Sequence, residues 1–344
     1  MTAPRDLRPV LRRIAAGERL GAGDMRAAID VIFDGDADDA QVAGFLMGLA
    51  ARGETPEEIA AAAEAMRARA TKVEAPEDVV DTCGTGGDGA GTYNISTAAA
   101  LIAAGAGARV AKHGNKAASS RSGSSDILAS LGVNLDAPPA RVSAAITRAG
   151  VGFLFAPRHH GATARAAAAR AALGARTLFN LLGPLTNPAG ARRQLLGVYA
   201  APLVETMAAA LARLGATRAM VVHGSDGLDE LTTTGPSIVA ELNHGEITRY
   251  EVAPQQFGLN LSRPRDLAGG APAANASALQ RLLDGEPGAY RDIAVLNAGA
   301  ALVVAGVVAR LSDGVEAAAA AIDDGRARRA LETLVAVSND ETIG

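Results

Sequence analysis

The 344-residue chain has one cysteine, Cys83, no tryptophan and only 3% aromatic residues. A single cysteine excludes an intrachain disulfide and any zinc site built from cysteines, and it fits a reducing compartment. With so few large rings, alanine and the small aliphatic residues must fill the core, which favours closely packed helices. Blocks of positive charge are missing too. The formal net charge is −4, and the pairs Arg12 with Arg13 and Arg328 with Arg329 read as solvated helix faces. Binding to nucleic-acid phosphates rests on lysine and arginine clusters, so nucleic acid is not the expected partner. No apolar run is long enough for a membrane span; residues 297–308 are strongly apolar but short, and read as a buried helix. The first residues carry no signal-peptide pattern, so a cytoplasmic location is expected. Apolar residues at 49% and charged ones at 20% describe an ordinary globular chain. Its length suggests two domains, or one large domain with an appendage.

Residues 1 to about 70 show helical patterns only. Leu7, Val10, Leu11 and Ile14 give one apolar face at helical spacing. Asp38 with Gln41 predicts a capping box, and Thr55-Pro56-Glu57-Glu58 predicts a stronger one. From about residue 75 strands alternate with helices. Strands are predicted at 79–82, 109–111, 151–155, 194–198, 219–223, 237–242 and 247–252, and helices at 96–106, 123–131 and 139–149 among others. Such alternation predicts an α/β fold with a mostly parallel sheet. No internal repeat is present, and Ala/Gly richness around 268–276 is the one linker-like stretch.

Two loops carry most of the candidate chemistry. One is Asp81-Thr82-Cys83-Gly84-Thr85-Gly86-Gly87-Asp88, followed by Asn94-Ile95-Ser96-Thr97. The other is Lys112-His113-Gly114-Asn115, followed by Ser119, Ser120 and Gly123-Ser124-Ser125-Asp126. Each leads into a helical pattern, so two helix N-termini point at one ligand, where free N–H groups and the helix dipole favour an anion. A cation, an imidazole, an amide and several hydroxyls suit a polyanion bearing sugar hydroxyls. Residues 84–89 match G-x-G-x-x-G, but a dinucleotide site would place Asp88 against a pyrophosphate, and the helix begins several residues too late. An acid in a phosphate loop makes sense where a divalent metal travels with the ligand.

Ser96 and Thr97 can serve as helix caps, and Lys112 or His113 alone could be an ordinary loop residue; together with Asn115 and the serines they read as ligand contacts. Asp226-Gly227-Leu228-Asp229-Glu230 follows an apolar strand, and adjacent carboxylates there suit Mg²⁺. His159 and His160 lack an accompanying carboxylate and read as a loop or substrate contact. Arg170 lies in an Ala-rich helical pattern over 164–173, where a lone arginine reads as a surface charge. Arg176 reads as structural. Cys83 has no evident base partner and reads as a small buried residue.

Taken together, these strings resemble the anthranilate phosphoribosyltransferases of tryptophan biosynthesis. The run 170–188, from Arg170 through Asn180 and Gly183 to Pro188, extends the resemblance, which covers essentially the whole chain. It implies a small helical domain plus a large α/β domain with a mostly parallel central sheet, the fold shared with class II nucleoside phosphorylases. The helical domain would comprise 1–72 with 173–190 added, and the α/β domain 73–344. It also implies a homodimer formed through the helical domains, use of phosphoribosyl pyrophosphate (PRPP) with Mg²⁺, and transfer of the phosphoribosyl group to the amine of anthranilate.

Carried over residue by residue, Gly84, Gly87, Asp88, Thr92, Asn94, Ile95, Ser96, Thr97, Lys112, His113, Gly114, Asn115, Lys116, Ala117, Ala118, Ser119, Ser120 and Ser124 look like the PRPP site. Ser96, Asp229 and Glu230 look like metal ligands. Gly84, Asn115, His160 and Arg170 look like anthranilate contacts. No general base is evident. A nucleoside phosphorylase is the nearest enzymatic rival, but the paired acids and the pyrophosphate-sized pair of loops favour PRPP. A catalytically silent nucleic-acid-binding relative should be more basic and should have lost Arg170 or the acid pair.

Overall fold

The computed structural model describes residues 6–116 and 122–343. Four helices come first: α1 (Arg8–Ala15), α2 (Ala22–Asp34), α3 (Asp39–Arg52) and α4 (Pro56–Ala68). The box before α4 forms in full. Thr55 Oγ1 accepts from the Glu58 N–H at 3.2 Å, and the Glu58 carboxylate accepts from the Thr55 N–H at 2.9 Å. The box expected before α3 is half formed. Asp38 accepts from the Gln41 N–H at 2.8 Å, but Gln41 does not return the bond, and its Oε1 is buried without a partner.

Seven strands follow: β1 (Val80–Gly84), β2 (Val110–Gly114), β3 (Val151–Phe155), β4 (Arg193–Gly197), β5 (Arg218–Gly224), β6 (Ser237–Asn243) and β7 (Glu246–Val252). They lie in the order β3-β2-β1-β4-β5-β6-β7. The first five are parallel, and β6 and β7 add an antiparallel edge. The intervening helices are α5 (Ile95–Gly105), α6 (Ser124–Ser130), α7 (Pro139–Ala149), α8 (Ala156–His159), α9 (Ala167–Leu173), α10 (Leu178–Leu182) and α11 (Leu203–Arg213). Four more close the chain: α12 (Pro272–Leu283), α13 (Ala289–Ala305), α14 (Leu311–Asp323) and α15 (Arg326–Ser338).

Strand alternation divides most of the core between two large clusters, with a smaller third around Val79, Ala111, Ile146 and Leu154. Val80, Val110, Val151, Leu195, Met220 and Val222 share one apolar cluster with α5 and α13. Helix α13 is buried almost all round, as an apolar helix inside a large domain must be, and it starts earlier than the apolar run 297–308 suggests. On the opposite face Leu196, Val198, Ala219 and Val221 join α11 in a cluster that continues into α2, α3 and α4. The helical unit and the sheet therefore share one core. Leu178, Leu181, Leu182 and Leu185 are built into the same cluster at 0–1% exposure, each worth about 1.5–3 kcal/mol of transfer free energy. Arg67 of α4 donates to the Leu185 carbonyl at 2.6 Å.

The linker-like stretch 268–276 is not a linker. Thr92 and Ala268 form an antiparallel bridge, and the Gly269 N–H donates to the Gly91 carbonyl at 2.9 Å. Among the described residues no helix is long and apolar enough to cross a membrane.

Candidate active site

The chain leaves β1 toward β2 and β3 on one side, then returns to β4 on the other. The carboxyl ends of β1 and β4 thus form a topological switch point, where open α/β sheets bind ligands. Two glycines stand in register there, Gly84 opposite Gly197. Neither position has room for a side chain. A Cβ on Gly84 would overlap the Asp229 carboxylate, and one on Gly197 would overlap the Asp229 main chain. The turn after β5 thereby folds over the ends of β1 and β4. Asp229 Oδ2 accepts from the Gly86 N–H at 2.7 Å, and Glu230 Oε1 accepts from the Ser96 N–H in the first turn of α5 at 3.1 Å. Gly86 and Gly87 adopt the left-handed backbone (φ 67° and 78°) that turns the loop back over this point.

Three carboxyl groups and one ammonium meet here. Burial and the neighbouring Asp88 carboxylate push Asp229 up to about 6, against the pull of the Gly86 N–H. Burial, then Asp229, pushes Glu230 well above the ordinary carboxylate range, while Lys112 opposes the shift. Lys112 is 2% exposed. Its ammonium donates to the Thr82 carbonyl and, at 3.2 Å, to Ser96 Oγ. It lies beneath the acids rather than open in the loop, and burial lowers its pKa against the attraction of Asp81 and the other acids.

Several supports escaped the sequence reading. Asp81 is fully buried and accepts from the His113 N–H at 3.0 Å. Asn297 of α13 grips Leu231, the residue after the acid pair, through both its N–H (3.0 Å) and its carbonyl (2.8 Å). A lone amide in an otherwise apolar helix was the available signal, because a buried amide needs partners. Gln194 of β4 donates to Cys83 Sγ at 3.0 Å and to the Pro184 carbonyl at 2.6 Å. Cys83 is the small buried residue expected, and burial raises its thiol pKa well above the ordinary value.

A second group gathers around the histidines. His113 and His160 are each 5% exposed, with ring centroids 5.1 Å apart. His113 Nδ1 donates to the Gly183 carbonyl at 3.1 Å, and its Nε2 has no partner among the described residues. His160 has the Thr186 main chain nearby, yet among the described residues neither ring nitrogen makes a hydrogen bond of ordinary geometry. Burial, then the neighbouring histidines, depresses His113 to about 3 and His160 to about 4. His159 instead bonds the Thr71 carbonyl at 2.8 Å.

Arg170 sits with its guanidinium over the Phe179 ring at 5.2 Å. Burial lowers its pKa, and among the described residues it has no carboxylate partner. Arg176 has the structural contacts expected of it. It stacks on Tyr199 at 4.3 Å and donates to the Gly87 carbonyl, so it ties the segment before α10 to the glycine loop.

Of the remaining candidates, Thr92, Asn94, Ile95, Ser96 and Thr97 form the approach to α5 and its first turn. Gly114 ends β2, and its missing Cβ makes room for Ser124 Oγ and Phe153. Asn115 and Lys116 are exposed, and the Asn115 carbonyl accepts from Ser124 Oγ at 3.2 Å. Ala117, Ala118, Ser119 and Ser120 lie outside the described residues. The structure thus brings together Gly84, Gly86, Asp88, Ser96, Lys112, Asp229 and Glu230, pairs His113 with His160, and holds Arg170 separately on Phe179.

A helical bundle packed on a mostly parallel sheet, with acids and glycine loops at the switch point, is the architecture of a glycosyl transferase family whose models match this chain. The model of the glycosyl transferase family, a/b domain, matches residues 76–328, and that of its helical bundle domain matches residues 8–70. An anthranilate phosphoribosyltransferase from Maricaulis maris is 60% identical over 91% of this chain and 93% of its own length. The crystal structure of anthranilate phosphoribosyltransferase from Thermus thermophilus superposes with a TM-score of 0.91 at 45% identity, covering 95% of this chain and 98% of that one. The Saccharomyces cerevisiae enzyme in complex with PRPP and Mg gives 0.88 at 28% identity, covering 96% and 97%. The chain belongs to this glycosyl transferase family and, within it, to the anthranilate phosphoribosyltransferases.

Proposed function

We propose that the protein transfers the 5-phosphoribosyl group of PRPP to the amine of anthranilate, releasing pyrophosphate, as a step of tryptophan biosynthesis. The observation that carries this reading is the position of Asp229 and Glu230, bonded to the glycine loop and to the first turn of α5 at the switch point of the sheet. Displacing pyrophosphate from C1 builds positive charge on the ribose and negative charge on the leaving group. The N–H groups of the glycine loop and of α5 support the leaving group.

The donor set fits Mg²⁺. Carboxylate oxygens of Asp229 and Glu230, with the Ser96 hydroxyl, suit a hard cation that completes its shell with substrate phosphates. Burial and mutual repulsion raise the pKa of both acids, and a cation there would relieve the repulsion. Mg²⁺ bound there would offset the charge of the departing pyrophosphate.

Anthranilate's aryl amine is already neutral at pH 7, so it needs placement more than deprotonation. Arg170, lacking a carboxylate partner of its own, is our choice to hold the anthranilate carboxylate. Gly84, Asn115 and His160 complete the acceptor site in this reading. His160 supports it as a buried neutral ring beside His113.

Residues 173–190 we assign to the helical domain of 1–72, since α10 packs into the same core as α3 and α4. A cytoplasmic homodimer is proposed on the resemblance, with gel filtration as its check. The function is tested by following anthranilate fluorescence with PRPP and Mg²⁺. Its decay requiring all three components is the expected result, and stable fluorescence would overturn the reading.

A further inference from the structure

Asn275 of α12 is 1% exposed and belongs to no motif read from the sequence. Its amide oxygen accepts from the Gly270 N–H at 2.7 Å, and its amide nitrogen donates to Asn94 Oδ1 at 3.0 Å. Because the oxygen of Asn275 is taken, only its NH₂ side can face Asn94, and Asn94 must turn its own oxygen toward it. The NH₂ of Asn94 is then directed at the Ser122 carbonyl, to which it donates at 3.1 Å, while Ser122 Oγ reaches Asn94 Oδ1 at 3.5 Å. One amide from a late helix thus sets the sense of a second amide, and that one ties the end of the first glycine loop to the segment before α6.

The arrangement also changes what Asn94 does for its own helix. Asn94 occupies the N-cap of α5, where an asparagine ordinarily accepts from a first-turn N–H, yet its side chain makes no cap bond. The Ser96 N–H is capped instead by Glu230, and among the described residues Thr97 Oγ1 is buried without a partner. Tyr290 holds the same point from above, its hydroxyl on the Asn94 carbonyl at 3.3 Å and its ring stacked on Tyr93 at 4.3 Å.

We propose that Asn275 is a positioning residue of the PRPP site. Acting through Asn94, it holds the two loops at the spacing that receives the substrate. The proposal rests on the reading of those loops as the PRPP site. It is tested with wild type, Asn275→Ala, Asn94→Ala and the double variant, measuring KM for PRPP and for anthranilate and the thermal shift produced by PRPP with Mg²⁺.

Loss of the neutral hydrogen bond to Asn94 predicts that Asn275→Ala raises KM for PRPP about fivefold. It should leave KM for anthranilate within about twofold, and add nothing further in the Asn94→Ala background. Equal effects on both substrates, or effects that multiply in the double variant, would mean a role in stability alone and overturn the proposal. Asn275→Ser serves if the alanine variant does not fold, and failure of both to fold also overturns it. A wild-type protein that gives neither turnover nor a PRPP shift removes the underlying reading of the site. Normal wild-type behaviour with an unaltered Asn275→Ala removes only the positioning role.

Discussion

Asp229 lies so close over Gly197 that a single methyl group there would occupy the place of the Asp229 carbonyl. The contact places the acid pair at the switch point, so the backbone of β4 is part of the site. Gly197→Ala should therefore displace Asp229 and cut kcat/KM by at least about a hundredfold, since misplacing a reacting constellation by an ångström costs that much. Gly23→Ala, at a helical glycine with open space around it, is the control and should leave turnover unchanged. Comparable activities of the two variants would contradict the account.

Asp229 and Glu230 repel one another and Asp88 in a partly buried setting. Replacing them by Asn and Gln removes that repulsion while keeping their size. The melting temperature should hold or rise, turnover should fall steeply, and the Mg²⁺ concentration for half-maximal rate should increase. A variant with normal turnover and an unchanged Mg²⁺ titration would sink the metal assignment.

Arg170 has no protein carboxylate among the described residues to neutralise it, and it rests on Phe179. Arg170→Ala should raise KM for anthranilate by about thirtyfold or more, in line with roughly 2–5 kcal/mol for truncating one side of a charged contact. KM for PRPP should barely move. Parallel changes in both constants would place Arg170 elsewhere in the mechanism.

The buried histidines predict acid sensitivity. His113 is depressed to about 3 and His160 to about 4, both below the ordinary value of 6.5. The unfolded chain therefore takes up these protons first. Stability from this pair is full above about pH 6.5 and is lost as pH falls toward 4 and 3. His113→Gln should narrow the gap in urea-unfolding free energy between pH 7.5 and pH 5 by on the order of 1 kcal/mol. An unchanged gap would show that His113 is not held neutral by its surroundings.

Much of this was legible in the chain itself because its signals are local. Strand alternation, the Thr55 box and the glycine-rich turns act within a few residues, so the βα order and both loops could be read directly. The acid pair, the serine and the lysine were recognisable as types of residue suited to a phosphate ligand and its metal. Their arrangement was decided elsewhere. Asp229 meets Gly86 across 143 residues of sequence, and Asn275 meets Asn94 across 181. Neither pairing leaves a periodic trace, since only the crossing of the chain from β3 to β4 and the packing of α12 bring those groups together. Lys112 shows the same division. Its chemistry was plain from the sequence, but only the fold buried it against the Thr82 carbonyl and Ser96, near the acids.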